Sequence, residues 1–325
     1  MSRRTGRAAA EVIGAIIGAG FASGREIDAF FTRSGPWGWA GMAAAAAVIG
    51  AVCASVLKRP GVAGMPEAWQ GRPMAAVWRG MFAGLMAVTG GAMLAGAGEA
   101  AALLLPLHGA RGIGMAATLF VALALAKGDG TGMAWVSRAL IVCLTAVLAP
   151  GLAQKPMAGT PVRTACAPYT ALARGVCYGG FNVALAVPVL SEQGRMTASE
   201  RRRCALLVSA LFLTLLAVGN GVLCRHSALQ GEALPFVRLL SGWGKPGYWL
   251  GGAALYLADL TTLTAALRGV RDLSGGSAWL RRALIALMIG LSLLGFGEVV
   301  AWVYPALGGV CAVLLMLAVA QGRRA

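Results

Sequence analysis

Between Ile13 and Ile27 the chain reads IGAIIGAGFASGREI, an apolar stretch that begins like a membrane span and fills its own centre with Gly18, Ala19, Gly20, Ala22, Ser23 and Gly24. Each glycine costs a helix interior about 1 kcal/mol relative to alanine. Arg25 and Glu26 follow at once. Inside a bilayer, backbone that leaves helical geometry survives only where protein or a water-filled cavity satisfies its polar groups. A broken first span therefore points to a solute or ion site near the middle of a membrane.

The rest of the composition agrees with a membrane setting. The chain is 58% hydrophobic and 12% charged, with a mean hydropathy of +0.73, which excludes an ordinary soluble domain and indicates a polytopic all-α membrane protein. The formal charge of +16 comes from arginines scattered through predicted loops, with no basic domain or aromatic platform, so nucleic acid is not the expected partner. A positive-inside bias accounts for it. The N-terminal apolar run has the look of a signal peptide, but Glu11 within it and Arg25–Glu26 directly after it argue for a retained span. Seven cysteines fall mostly in predicted spans, and only Cys166 and Cys224 are placed together, near the outer side, where a pair could form. No P-loop, GxSxG, HExxH or CxxC occurs, and His108 and His226 are the only histidines. The expected protein is not an enzyme and needs no cofactor; an ion gradient, Na+ or H+, is the energy source left to it.

Hydrophobic stretches of span length lie at about 8–31, 36–57, 78–105, 111–126, 132–151, 169–190, 204–224, 247–268, 280–297 and 299–320. With the N-terminus inside, most of the 28 Lys and Arg fall on the cytoplasmic side, which supports ten spans with both termini cytoplasmic in a bacterial inner membrane. The halves, 1–155 and 156–325, then each hold five helices. Roughly ten residues into the first helix of each half stands a glycine cluster, Gly18–Gly20 in one and Tyr178-Gly179-Gly180-Phe181-Asn182, followed by Pro188, in the other. Ten helical residues rise about 15 Å, half the hydrocarbon thickness. Matched breaks in two halves are the mark of an inverted repeat, with helices 1 and 6 discontinuous. The competing reading is that such glycines only let helices pack closely.

Gly18-Ala-Gly-Phe-Ala-Ser-Gly-Arg-Glu26 with Phe30-Phe31, Tyr178-Gly-Gly-Phe-Asn182 and Tyr304-Pro-Ala-Leu-Gly308 together resemble the signature of the YkvI-type bacterial membrane proteins, over nearly the whole length in span number and order. The resemblance implies the LeuT-like five-plus-five fold of the amino acid–polyamine–cation superfamily. It also implies secondary active transport (symport) of a small polar organic solute, an amino acid or related compound. The rival is a receptor or sensor that keeps the fold without translocation.

Carbonyl ends of a broken helix suit a cation and N–H ends suit a carboxylate. The candidate solute-binding residues are therefore Gly18, Ala19, Gly20, Phe21, Ala22 and Ser23 with Tyr178, Gly179, Gly180, Phe181 and Asn182. The aromatic members either wall a cavity or pack in the core. LeuT-like carriers place a sodium ion between first-helix carbonyls and an Ala-x-x-Thr/Ser-Thr/Ser set on helix eight. The resemblance maps that set onto Ala258, Thr261 and Thr262, with Gly18 and Phe21 as carbonyl donors; no metal beyond Na+ is expected. The alternative for each threonine is a bond back to its own helix. Asp259, an acid mid-span, costs about 2.5–3.5 kcal/mol on insertion scales and should face the bundle interior to meet a proton, a cation or a basic partner. Glu99 and Glu298 are lesser acids of the same kind, and Glu11 falls at an inner gate. Arg138 either replaces the sodium charge or snorkels to the surface. Arg25 and Glu26 form an outer gate pair or a local helix contact.

Overall fold

The computed structural model describes residues 3–58, 73–105, 107–161, 166–193, 196–232, 234–293, 307 and 309–317. Among these the regular structure is helical. The first predicted span is three helices: α1 (Arg3–Ile16), α2 (Ala19–Ser23) and α3 (Arg25–Phe30). Gly18 is extended at φ −91°, ψ −177°, and Gly24 is left-handed at φ +87°, a conformation that a side chain rarely adopts. A 3₁₀ turn over Thr32–Trp37 leads to α4 (Gly38–Val56). Then follow α5 (Pro73–Leu104), α6 (Ala110–Lys127), α7 (Thr131–Ala153) and α8 (Pro168–Glu192). The chain continues through α9 (Ala198–Arg225), the short α10 (Pro235–Ser241), α11 (Lys245–Leu273) and α12 (Ala278–Ser292). Residues 309–317 are helical again.

Seven of these, α4 to α9 and α11, are long and apolar enough to cross a membrane, and the chain is a multi-pass membrane protein. Exposed Trp37, Trp39, Trp135, Tyr169, Trp243, Trp249 and Trp279 stand near helix ends, where amphipathic rings meet the headgroup layer. The starts of the helices follow local chemistry: Thr197 and Glu200 close a capping box on α9, and Pro168 occupies the first turn of α8.

The expected break in the sixth span is absent. α8 runs unbroken through Tyr178–Asn182 and past Pro188. Its glycines serve contact instead. A Cβ on Gly175 would stand 2.0 Å from the Gly41 carbonyl oxygen of α4, and one on Gly179 would stand 2.6 Å from that of Ala45. Gly180 meets Ala312 in the same way, at 2.6 Å. Close backbone approach between small residues explains the cluster, and the discontinuity belongs to the first span alone. The expected Cys166–Cys224 pair does not form, and all seven cysteines are thiols. Glu298 and, apart from Leu307, the Tyr304–Gly308 motif lie outside the described residues.

Candidate functional site

α1 is packed by α7, α8, α9 and α11, so its broken end lies within the bundle. At the break the Ile17 amide still donates to Ile13 O (2.9 Å), but the Gly18 amide turns to Ile16 O (3.1 Å) instead of Gly14 O. Carbonyls released in this way need another partner. α11 supplies it: Thr262 Oγ1 lies 3.2 Å from Ile17 O and 3.4 Å from both Gly14 O and Ala15 O. One hydroxyl has one proton to donate, so three carbonyl oxygens stand around a group that can satisfy only one of them.

The other oxygens expected here are used elsewhere. Thr261 turns its hydroxyl back to Leu257 O and Ala258 O of its own helix, at 3.0 and 3.1 Å. The Gly18 carbonyl accepts from the Ala22 amide and that of Phe21 from Gly24, both at 3.0 Å. Ala258 is buried on the same helix as Thr262. On the facing side of the break Met93 of α5 comes within 3.3 Å of where a Gly18 side chain would start.

Elsewhere on α11, Asp259 is fully buried and neither carboxylate oxygen has a hydrogen-bond partner among the described residues. It packs onto Gly96 of α5. Ala19, Gly96, Glu99, Leu103, Arg111 and Leu255 are among the residues lining a cavity of about 400 Å³ here. Glu99 and Arg111 form a half-exposed pair at 3.9 Å.

Glu26 is buried in the second half of the broken span, with its carboxylate in the space left by Gly20. Tyr178 reaches across from α8 and donates its hydroxyl to Glu26 Oε2 at 2.8 Å. Its ring packs against Phe30, Phe31 and Phe212, and Phe21 packs on Phe212 at 5.9 Å between centroids. Tyr178 thus joins α8 to the break, whereas Asn182 donates its amide to Tyr178 O within its own helix (2.9 Å) and Phe181 is buried in the core. Ser23 donates to Gly20 O at 3.1 Å. Tyr178→Phe should lower stability by about 1–3 kcal/mol, since a buried carboxylate loses a donor. Thermal melting in detergent checks this, and an unchanged melt would mean that the phenol does not hold Glu26.

Neighbours on a helix point about 100° apart, and Glu26 is buried and turned inward to Tyr178 while Arg25 beside it is half-buried. Arg138 is exposed on α7, while its neighbour Ser137 is the residue that faces Gly14. The structure therefore does not bring Arg138 to the carbonyls at the break.

A charged network lines a cavity of about 380 Å³ at the end of the bundle that carries the N-terminus. Glu11, 2% exposed, accepts from Arg7 and from Gln193, both at 2.9 Å. Arg268, 1% exposed, lies 3.0 Å from Glu192 and 3.8 Å from Glu11. Arg271 also pairs with Glu192 and donates to Ala126 O at 2.7 Å. In the loop after α6, the Thr131 amide, and after it the Thr131 hydroxyl, hold the Asp129 carboxyl below the usual carboxylate range, with Arg7 adding to this. Sequence reading placed Glu11 here but missed Arg268, Glu192 and Gln193. Charges at the ends of apolar spans are common, so their signal was only that all three fall on one predicted side of the membrane.

Neither a family model nor a curated protein sequence matches the chain. Its fold, however, is that of solved transporters. A manganese transporter from Eremococcus coleocola, in a mutant with one histidine replaced by alanine, superposes with a TM-score of 0.60 at 13% identity, over 97% of this chain and 76% of that one. A second mutant of that transporter, with a glutamate replaced by alanine, gives 0.59 at 13% identity over the same shares. The same transporter in complex with an aromatic bis-isothiourea substituted compound gives 0.53 at 15%, again over 97% and 76%. The chain therefore has a transporter fold.

Proposed function

We propose that this protein is a secondary transporter of a small polar organic solute, an amino acid or related compound, coupled to Na+ or H+ by alternating access across a bacterial cytoplasmic membrane. In this reading the bundle is a five-plus-five repeat, 1–155 and 156–325, with both termini cytoplasmic. The observation that carries it is the meeting of Thr262 Oγ1 with the Gly14, Ala15 and Ile17 carbonyls at the broken helix. Oxygens bound to one hard cation at about 2.3–2.6 Å stand roughly 3.3–3.7 Å apart when at right angles. The 3.2–3.4 Å separations here are near that spacing and longer than the usual hydroxyl hydrogen bond. A coupling cation would sit among these oxygens, with Ala258 O and a rotated Thr261 as further ligands.

The shared fold supports transport, and the cargo reading departs from the neighbours' manganese. Among the described residues there is no group of three or more His, Cys, Asp and Glu that could hold a metal ion. With α8 continuous, paired half-helix termini no longer argue for a zwitterion. The amino-acid reading now rests on the sequence resemblance and on the buried acids beside the break.

Purified protein in liposomes, given a panel of radiolabelled amino acids under a Na+ or a pH gradient, tests the proposal. Uptake driven by Na+ is expected to lose its Na+ dependence in Thr262→Ala, with an apparent Na+ affinity at least about tenfold weaker. Uptake driven by protons alone and indifferent to Thr262 would overturn the cation site. Solute binding without uptake under either gradient would replace the carrier with the non-transporting receptor.

A further inference from the structure

Among the described residues, Asp259 is the buried acid with both carboxylate oxygens unpartnered. It is fully buried in α11. A buried carboxyl without a partner either holds its proton or gives it up to take a cationic partner. A Cβ on Gly96 would stand 2.8 and 2.9 Å from its two oxygens, so the carboxylate occupies the space that this glycine leaves open. Gly96 also lines the cavity of about 400 Å³, as do Leu255, one turn before Asp259 on α11, and Ala19 at the helix break. The volume falls in the range of small-molecule sites.

We propose that Asp259 receives the protonated amino group of the transported solute, with the remainder of the solute in this cavity. This deepens the transporter reading and rests on it, by naming the charged group that the carrier selects. The chemistry of the walls favours an ammonium over an inorganic cation. Of the lining residues, Ala19, Gly96, Ala102, Leu103, Leu234 and Leu255 bring no side-chain oxygen; Glu99 alone does, and the Asp259 carboxylate lies against Gly96 at the edge of the cavity. A divalent ion needs six or more oxygen ligands, which Asp259 and a Glu99 already paired with Arg111 do not supply. An ammonium has three donors, and a carboxylate offers a charge and two acceptor atoms. Glu99, held to Arg111 at 3.9 Å and half-exposed, adds negative charge without competing for the inner position.

The test uses the full chain in detergent or nanodiscs, with thermal stabilisation as readout. The probes are alanine, leucine, serine, lysine and putrescine, each beside its N-acetylated counterpart. At least one free amine is expected to stabilise the protein where its acetylated form does not. Asp259→Asn should weaken that amine by about tenfold to hundredfold, the range for hydrogen bonds to a charged group. Should Asp259→Asn fail to fold, Gly96→Ala serves in its place, since its methyl displaces only the end of the Asp259 side chain; weaker amine binding is again expected. Amine binding unchanged in the variant, equal effects of free and acetylated probes, or no amine effect at all would each overturn the proposal. Thr262→Ala separates this from the cation site. Asp259-dependent amine binding with no Na+ effect would leave the amine site standing and remove the coupling site. Na+-dependent transport indifferent to Asp259 would do the reverse.

Discussion

Arg268→Met is expected to destabilise the protein by about 3–5 kcal/mol, the range seen when one partner of a buried ion pair is removed. The Arg268 guanidinium is 1% exposed and lies 3.0 Å from Glu192 and 3.8 Å from Glu11, which is itself 2% exposed. Without it, two carboxylates remain with less positive charge than they were folded around. Arg7 and Gln193 still reach Glu11, and Arg271 still reaches Glu192, so the loss should fall toward the lower end. The half-exposed Glu99–Arg111 pair is the control: Arg111→Met should change stability by under about 1 kcal/mol. Thermal melts of the solubilised protein measure both. Adding Glu11→Gln to Arg268→Met removes the surplus negative charge, so the double variant should lose at least about 1 kcal/mol less than the two single losses summed. An Arg268→Met protein that melts with the wild type would mean that the network is a solvated surface feature.

The same network bears on the transport reading. It ties α1, the first half of the broken span, to the ends of α8 and α11 and to the α6–α7 loop through Arg7, Glu11, Glu192, Gln193 and Arg268. Alternating access requires one end of the bundle to open while the other shuts. An end held by buried ion pairs can be bistable, because each pair either forms fully or gives way to water. In the proposed alternating-access cycle, Arg268 would bear on conformational balance as well as on stability.

Some of this was legible in the residues and some was not, for reasons that differ in kind. Gly18 and Gly24 announced the break in the first span because glycine there meets a backbone demand, an extended residue and a positive φ. The resemblance to LeuT-like carriers put Thr262 beside first-helix carbonyls, and its hydroxyl does lie among carbonyls of α1 and the break. Thr261, its neighbour, bonds its own helix instead. The carbonyls that meet Thr262 were misplaced by one turn, since where the helix lets go depends on packing around Gly14 and Ser137. Arg138 and Ser137 are adjacent in sequence, and one step of about 100° separates lipid from core. The Glu26–Tyr178 bond joins residues 152 apart, and no local pattern records it.

The second glycine cluster shows why a residue type can be read correctly and its role misassigned, and it yields the other large prediction. Gly175→Ala should prevent stable folding, or cost about 3 kcal/mol or more, because its methyl would stand 2.0 Å from the Gly41 carbonyl oxygen. Gly179→Ala, 2.6 Å from the Ala45 carbonyl oxygen, should cost somewhat less. Gly80→Ala and Gly84→Ala in α5, with nothing within 4 Å of the added methyl, should be neutral or stabilising by up to about 1 kcal/mol. Yield and melting temperature in one detergent rank the four. The order separates the two meanings of the motif, since Gly175 lies outside Tyr178–Asn182 yet has the closest contact with α4. If glycine were needed there for a flexible break, Gly179→Ala would spare stability and abolish transport, while Gly175→Ala would be mild. If α4 and α8 need bare backbone to approach, the damage follows the distance to the opposing carbonyl, with Gly175 first. The carbonyl that a methyl would strike belongs to α4, a helix far away in sequence, and that is where the second cluster's meaning was stored.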